Sequence, residues 1–218
     1  MARLPTPEMP PLVVARRDVT QEVWNAFAAA LEEEFPDLTA REKYIYMMLF
    51  GVEGGLRVGD KGTASGIDPG MLQAMIGQGK FTPDHSITGP ADLTFNDRAR
   101  FYRAYFDEVL GRFGGHSIFS RLGDDKTAAA VADIAFQYTP GGAEWVYQHG
   151  LSLWNLGSVS SQKPGGMSKE TWNNILTVTA QPTKLAGFRS AMATARERLF
   201  PAGKGNEHQG MNRYTTFR

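Results

Sequence analysis

The sequence predicts a mainly α-helical fold carrying one small β-hairpin. Capping signals recur ahead of stretches with helical apolar spacing, and strand-like alternation is nearly absent. One glycine-dense segment, "EGGLRVGDKGTASGI" (53–67), interrupts the helical pattern, and a short hairpin fits there. The 218 residues suit one domain, or one domain with two lobes. At this size roughly 70% of the unfolded surface can be buried without a disulfide or a metal as a staple.

Residues 2–12 are proline-rich and read as an extended arm, so the organisation expected is an arm over 1–17 and a single domain over 18–218. Asp18 and Gln21 fit a capping arrangement at the start of "VTQEVWNAFAAALEEEF", a first helix ended by Pro36. "TARE" (Thr39 to Glu42) is a capping box for a second helix. There Ile45, Met48, Leu49 and Val52 follow helical spacing, which predicts one buried face, and Gly54–Gly55 stop the helix. The hairpin segment comes next. "DPGMLQAMIGQGKF" reads as a short helix and turn, and residues 82–93 as a loop. Thr94 and Asp97 open "NDRARFYRAYFDEVLGRF", with Phe101, Tyr105 and Phe106 as packing aromatics. Asp124 caps "DKTAAAVADIAFQY", and "PGGAEWVYQHGLSLW", "SKETWNNIL" and "TKLAGFRSAMATARERLF" are three further helices.

Composition narrows the function. Lys plus Arg and Asp plus Glu both number 23, so the basic excess of a nucleic-acid binder is missing and no nucleic-acid partner is expected. With no cysteine there is no thiolate chemistry. No apolar run approaches a membrane span, and the first residues do not form a signal peptide. The four histidines are not paired at the spacing of a helical metal site, so neither metal nor cofactor is expected. "GDKGTASG" lacks the order of a phosphate loop, and the serines of "GLSLWNLGSVSS" lack a nucleophile elbow.

The chemistry concentrates in 53–67. Glu53 lies one helical turn beyond Leu49, in partly apolar surroundings. A carboxyl there is poorly solvated, which raises its pKa and suits a general acid. Asp60 sits among Gly, Lys and Thr, a wetter setting in which it stays ionised. Two carboxyls with differently tuned surroundings are a pattern of glycosidic bond cleavage. Thr63 and Ser65 reach the same cleft if the segment folds back, where a hydroxyl can position a water.

This run resembles the active-site segment of the lysozyme superfamily. It is most similar to glycoside hydrolase family 108, the muramidases related to typhoid-toxin secretion lysozymes and many phage endolysins. Glu53, Gly54 and Gly55 match the family's E-G-G-Y, and Gly62, Thr63, Gly66 and Ile67 match its G-G-x-T-N-x-G-I. "FYRAYFD" is similar to the family's Y-R-x-x-Y-W-D helix. "ADIAFQYTPGGAEWVYQ" resembles its F-D-x-A-V-N-x-G segment, with Asp133 at the aspartate and Gln137 where asparagine is usual. "RERLF" and "QGMNRYTTF" resemble its closing motifs. The resemblance spans about residues 40–218, in order. The chain departs from it at Leu56, in a shortened turn before Thr63, at Gln137 and at Met211.

The resemblance implies a lysozyme-like α+β fold and an N-acetylmuramidase that cuts the β-1,4 bond between MurNAc and GlcNAc in peptidoglycan glycan strands. Glu53 would be the acid, and Asp60 and Thr63 would stabilise the transition state or orient water. Ser65, Tyr105, Gln137 and Tyr138 are the candidates for sugar contact. Two alternatives stand beside it: a lytic transglycosylase of the same fold, and an inactive peptidoglycan-binding or structural module. Such an enzyme would be made in the cytoplasm and reach the periplasm or cell wall through a holin, a virion or a secretion system. The arm would then be a tether to a larger phage or secretion assembly.

Overall fold

The computed structural model describes residues 4–16, 19–59, 61–157, 159 and 165–199. The fold is mainly α, with nine α-helices among the described residues. The chain divides into two compact units, Met1–His116 and Ser117–Arg218.

The first unit contains α1 (Pro11–Arg16), α2 (Gln21–Glu34), α3 (Ala40–Val52), α4 (Pro69–Gly77) and α5 (Phe95–Leu110). Short polar side chains start these helices by accepting from first-turn amides. Thr20 caps α2, Asp68 caps α4, and Thr39 and Thr94 form full capping boxes with Glu42 and Asp97. Asp18, the expected cap of α2, lies outside the described residues. α2 packs on α3 and α5. At their meeting Phe27 stacks on Phe50 with centroids 4.2 Å apart and stands edge-on to Tyr102. Tyr46 stacks between Tyr102 and Phe106.

α3 departs from the expectation of one buried face. Every residue from Ile45 to Val52 is buried, so the helix that carries Glu53 is enclosed by the unit. The arm contributes to this enclosure. Rather than being extended throughout, it contains α1, which packs on α3 with Val13 fully buried. Pro7 O accepts from Trp24 Nε1 at 2.8 Å. Leu4 O accepts from the buried Lys43 Nζ, which also pairs with Glu32 at 2.6 Å. Gly51 permits the approach, because a Cβ there would meet Trp24 and Val13 atoms at 2.8 Å.

The second unit contains α6 (Asp125–Gln137), α7 (Pro140–Ser152), α8 (Lys169–Thr179) and α9 (Leu185–Leu199). α7 packs on α8 and α9, and Gly150 lets α9 close on it through Met192. Glu144 on α7 is buried and joins the start of α8. Its Oε1 accepts from Ser168 and Thr171 at 2.7 Å and from Gln148 at 2.9 Å.

The expected β-hairpin is not present as strands among the described residues. The segment after Glu53 keeps only isolated antiparallel bridges, Val58 to Ala64 and Ala64 to Ile67. The reason is local geometry. Gly54, Gly55, Gly62, Ser65 and Gly66 all have positive φ, which repeatedly breaks the extended conformation a strand needs.

Asp97 gives this unit an acid sensitivity. Its carboxylate is fully buried and accepts from the Thr94 amide and hydroxyl, the Asp84 amide and Arg100. Burial pushes its pKa up, but these hydrogen bonds outweigh burial and hold it below the usual carboxylate value. A depressed native pKa stabilises above the unfolded value and is lost as pH falls through the native one. The slope of stability against pH in acid should therefore flatten in Asp97→Asn, as measured by urea unfolding across the acid range.

Candidate active site

The Glu53 site is built by the end of α3. Glu53 is the C-cap, with φ −80° and ψ 4°. Gly55 N donates to Phe50 O at 2.8 Å and Gly54 N to Gly51 O at 3.1 Å. These two bonds make a Schellman motif, which requires a left-handed residue after the cap, and Gly54 supplies φ +85°. Gly55 is constrained twice: its φ is +58°, and a Cβ would lie 2.6 Å from Val19 Cγ2. The buried helix thus ends in a sharp turn of the chain, with Glu53 half-buried.

The following loop folds back on this turn. Gly59 N donates to Thr63 O at 2.8 Å, and Ile67 N donates to Ala64 O at 2.8 Å. Ser65 is fully buried in the left-handed region at φ +53°, where a residue with a side chain is strained. Three contacts hold it there. Its Oγ donates to Gly55 O at 2.6 Å, the same Oγ accepts from Arg98, and its carbonyl accepts from Tyr102 OH at 2.8 Å. Ser65 therefore fastens the loop to the Glu53 turn from inside, and its burial takes it away from sugar contact.

Arg98 is the central polar group here. It is 1% exposed, and its guanidinium donates to neutral oxygens: Leu93 O at 3.0 Å, Pro90 O and Ala91 O at 3.3 Å, and Ser65 Oγ. Burial pulls its pKa below the ordinary arginine value. It joins two loops, 56–67 and 90–93, to α5. No motif of the sequence includes Arg98. The available signal was its position on the apolar stripe formed with Phe101, Tyr102 and Tyr105, where an arginine implies a buried charge.

The other expected site residues are distributed as follows. Thr63 is half-buried in the returning loop, beside the exposed Lys61. Asp60 lies outside the described residues. Tyr105 is 7% exposed, stacks on Phe101 and stands edge-on to Phe106. This packing puts it in the core rather than on an open sugar platform, and burial pushes its hydroxyl up to about 12. Leu56 and Val58, by contrast, are 42% and 52% exposed immediately beyond Glu53.

Gln137 and Tyr138 belong to the second unit, at the end of α6. There they surround Arg196 of α9. Arg196 pairs with the fully buried Asp133 at 2.6 Å, donates to Gln137 Oε1, and lies 5.4 Å from the Tyr138 ring centre. Both residues thus help hold a buried ion pair between two helices. A shallow polar pocket in this unit, lined by Gln148, Ser168, Thr171 and Asn174, includes none of the expected site residues.

No group of three or more potential metal ligands occurs among the described residues. His85 contacts Asp92 O, His116 pairs with Asp107 at 2.6 Å and His149 contacts Trp145 O, while His208 lies outside the described residues. No helix among the described residues is long and apolar enough to cross a membrane.

Comparison with known proteins gave no match. No family model, curated protein or solved structure is similar enough to assign the chain to a family.

Two substitutions test the geometry. Gly55→Ala should destabilise the first unit by at least about 1–2 kcal/mol from backbone strain alone, seen as a lower thermal midpoint. Asp133→Ala should cost roughly 3–5 kcal/mol because it leaves Arg196 buried without its carboxylate. Urea titration would read that loss, and a shift under 1 kcal/mol would contradict the buried-pair account.

Proposed function

We propose that the protein is a peptidoglycan hydrolase, an N-acetylmuramidase in which Glu53 is the general acid. One observation carries the reading. A half-buried carboxyl stands at the end of an enclosed helix, and the loop after it folds back and is fastened to the same turn. That arrangement gives an acid a fixed position at a surface a polymer can reach. The resemblance of 53–67 to the muramidase segment supplies the substrate class, and the mainly α fold is compatible with a lysozyme-like architecture.

In this reading Glu53 protonates the glycosidic oxygen as the C1–O4 bond breaks, GlcNAc leaves with its 4-hydroxyl restored, and water adds to C1 of MurNAc. Asp60 and Thr63 stabilise the positive charge at C1 or orient that water, Thr63 from the returning loop. The exposed Leu56 and Val58 offer apolar surface beside the acid for the faces of the sugar rings.

Zymography on peptidoglycan with purified parent and Glu53→Gln tests the assignment. The substitution should lower clearing by about 10²–10⁴-fold, the usual contribution of a positioned proton donor, with an unchanged thermal midpoint. Equal clearing by a folded Glu53→Gln protein would refute it. Mass spectrometry of the products should find reducing MurNAc ends, whereas anhydro-muramyl ends would identify a transglycosylase.

A further inference from the structure

We infer that Ser65 and Arg98 are positioning residues for Glu53, acting through the carbonyl of Gly55. The inference rests on the proposed role of Glu53 and extends it into the interior. A relay of hydrogen bonds runs from Arg98 to Ser65 Oγ, and from Ser65 Oγ to Gly55 O at 2.6 Å. Gly55 closes the Schellman motif in which Glu53 is the C-cap. The relay therefore ends two residues from the acid, on the bond network that sets its backbone direction.

Ordinary packing does not account for this choice of residues. Ser65 holds a left-handed conformation that glycine adopts without strain, and the chain uses glycine freely at neighbouring positions 62 and 66. What serine adds is a hydroxyl that donates and accepts at once. Arg98 is equally specific. A buried arginine donating to neutral carbonyls is costly to desolvate, and an apolar residue on that stripe of α5 would fill space at lower cost. The guanidinium instead gathers three carbonyls of 90–93 together with Ser65, so both loops share one rigid anchor on α5. Rigid support of an acid matters because a misplacement of about 1 Å can cost roughly 10²-fold in rate.

The test compares Ser65→Ala, Ser65→Gly and Thr39→Ala with the parent. Thr39 caps the opposite end of α3, so its loss destabilises the same helix without touching the relay. Turnover per folded molecule is measured on solubilised peptidoglycan well below each thermal midpoint. Both Ser65 variants should lose about 10- to 100-fold in kcat with KM nearly unchanged. Ser65→Gly should lose as much turnover as Ser65→Ala while being less destabilised, since it removes the strain with the hydroxyl. Thr39→Ala should keep parental turnover. In parallel, the Glu53 Cδ resonance is followed by carbon NMR. It should move in both Ser65 variants and stay in place in Thr39→Ala. Parental kcat in folded Ser65→Ala, or an unmoved Glu53 resonance, would overturn the positioning role. If the parent cleaves no glycan, the muramidase reading fails by itself, and the resonance still decides whether Ser65 sets the position of Glu53.

Discussion

The first unit depends on one buried cation. Arg98 enters the core from α5 and satisfies its donors on loop carbonyls and on Ser65. Each partner is neutral, so the binding strength comes from hydrogen bonds to a charged donor in a poorly screened interior. The cost of desolvating the guanidinium favours keeping those oxygens in place, which ties both loops to the helix. Removing the charge would release the segment after Glu53 and the segment before α5 together. The strained Ser65 persists because the hydroxyl, the carbonyl and the neighbouring turn are all held at once.

The second unit uses a different device for a similar purpose. Arg196 is buried with Asp133, so its charge is compensated directly, and Gln137 and Tyr138 complete its surroundings. A buried pair of this kind is weak evidence for net stability, since well-packed apolar residues can do as well. It does tie the facing of α6 to that of α9, because rotating either helix would part the two charges. Glu144 joins α7 to α8 in a comparable way, by collecting two hydroxyls and an amide on one oxygen.

Much of the helical framework was legible in the residues. Capping threonines, aspartates and serines mark where α2 to α8 begin, because a first-turn amide needs an acceptor wherever the helix sits. The enclosure of α3 was less accessible. Ile45, Met48, Leu49 and Val52 define one face, while Phe27 on Phe50, Tyr102 and Phe106 on Tyr46, and Val13 of the arm beside Gly51 cover other sides. The hairpin expectation gave way to positive φ at Ser65, which no local pattern announces. Within the site, Glu53 and its glycines are readable from a helix end, whereas the sequence alone makes Ser65, Tyr105, Gln137 and Tyr138 candidates for sugar contact. Burial places Ser65 and Tyr105 in the interior, and the half-buried Gln137 and Tyr138 contact Arg196. Polar side chains look alike in sequence whether they face a ligand or a buried charge.

The arm has a practical consequence. Because Pro7 accepts from the Trp24 indole and Leu4 from the Lys43 ammonium, the chain's beginning is woven into the wall of α2 and α3. A fusion partner or affinity tag joined there pulls on the core rather than on a loose tail. Trp24 is wholly buried beside Gly51, so in a variant whose other three tryptophans are replaced its fluorescence gauges whether the arm is seated. Emission moving to longer wavelength after trimming or tagging would report water reaching the helix that ends in Glu53.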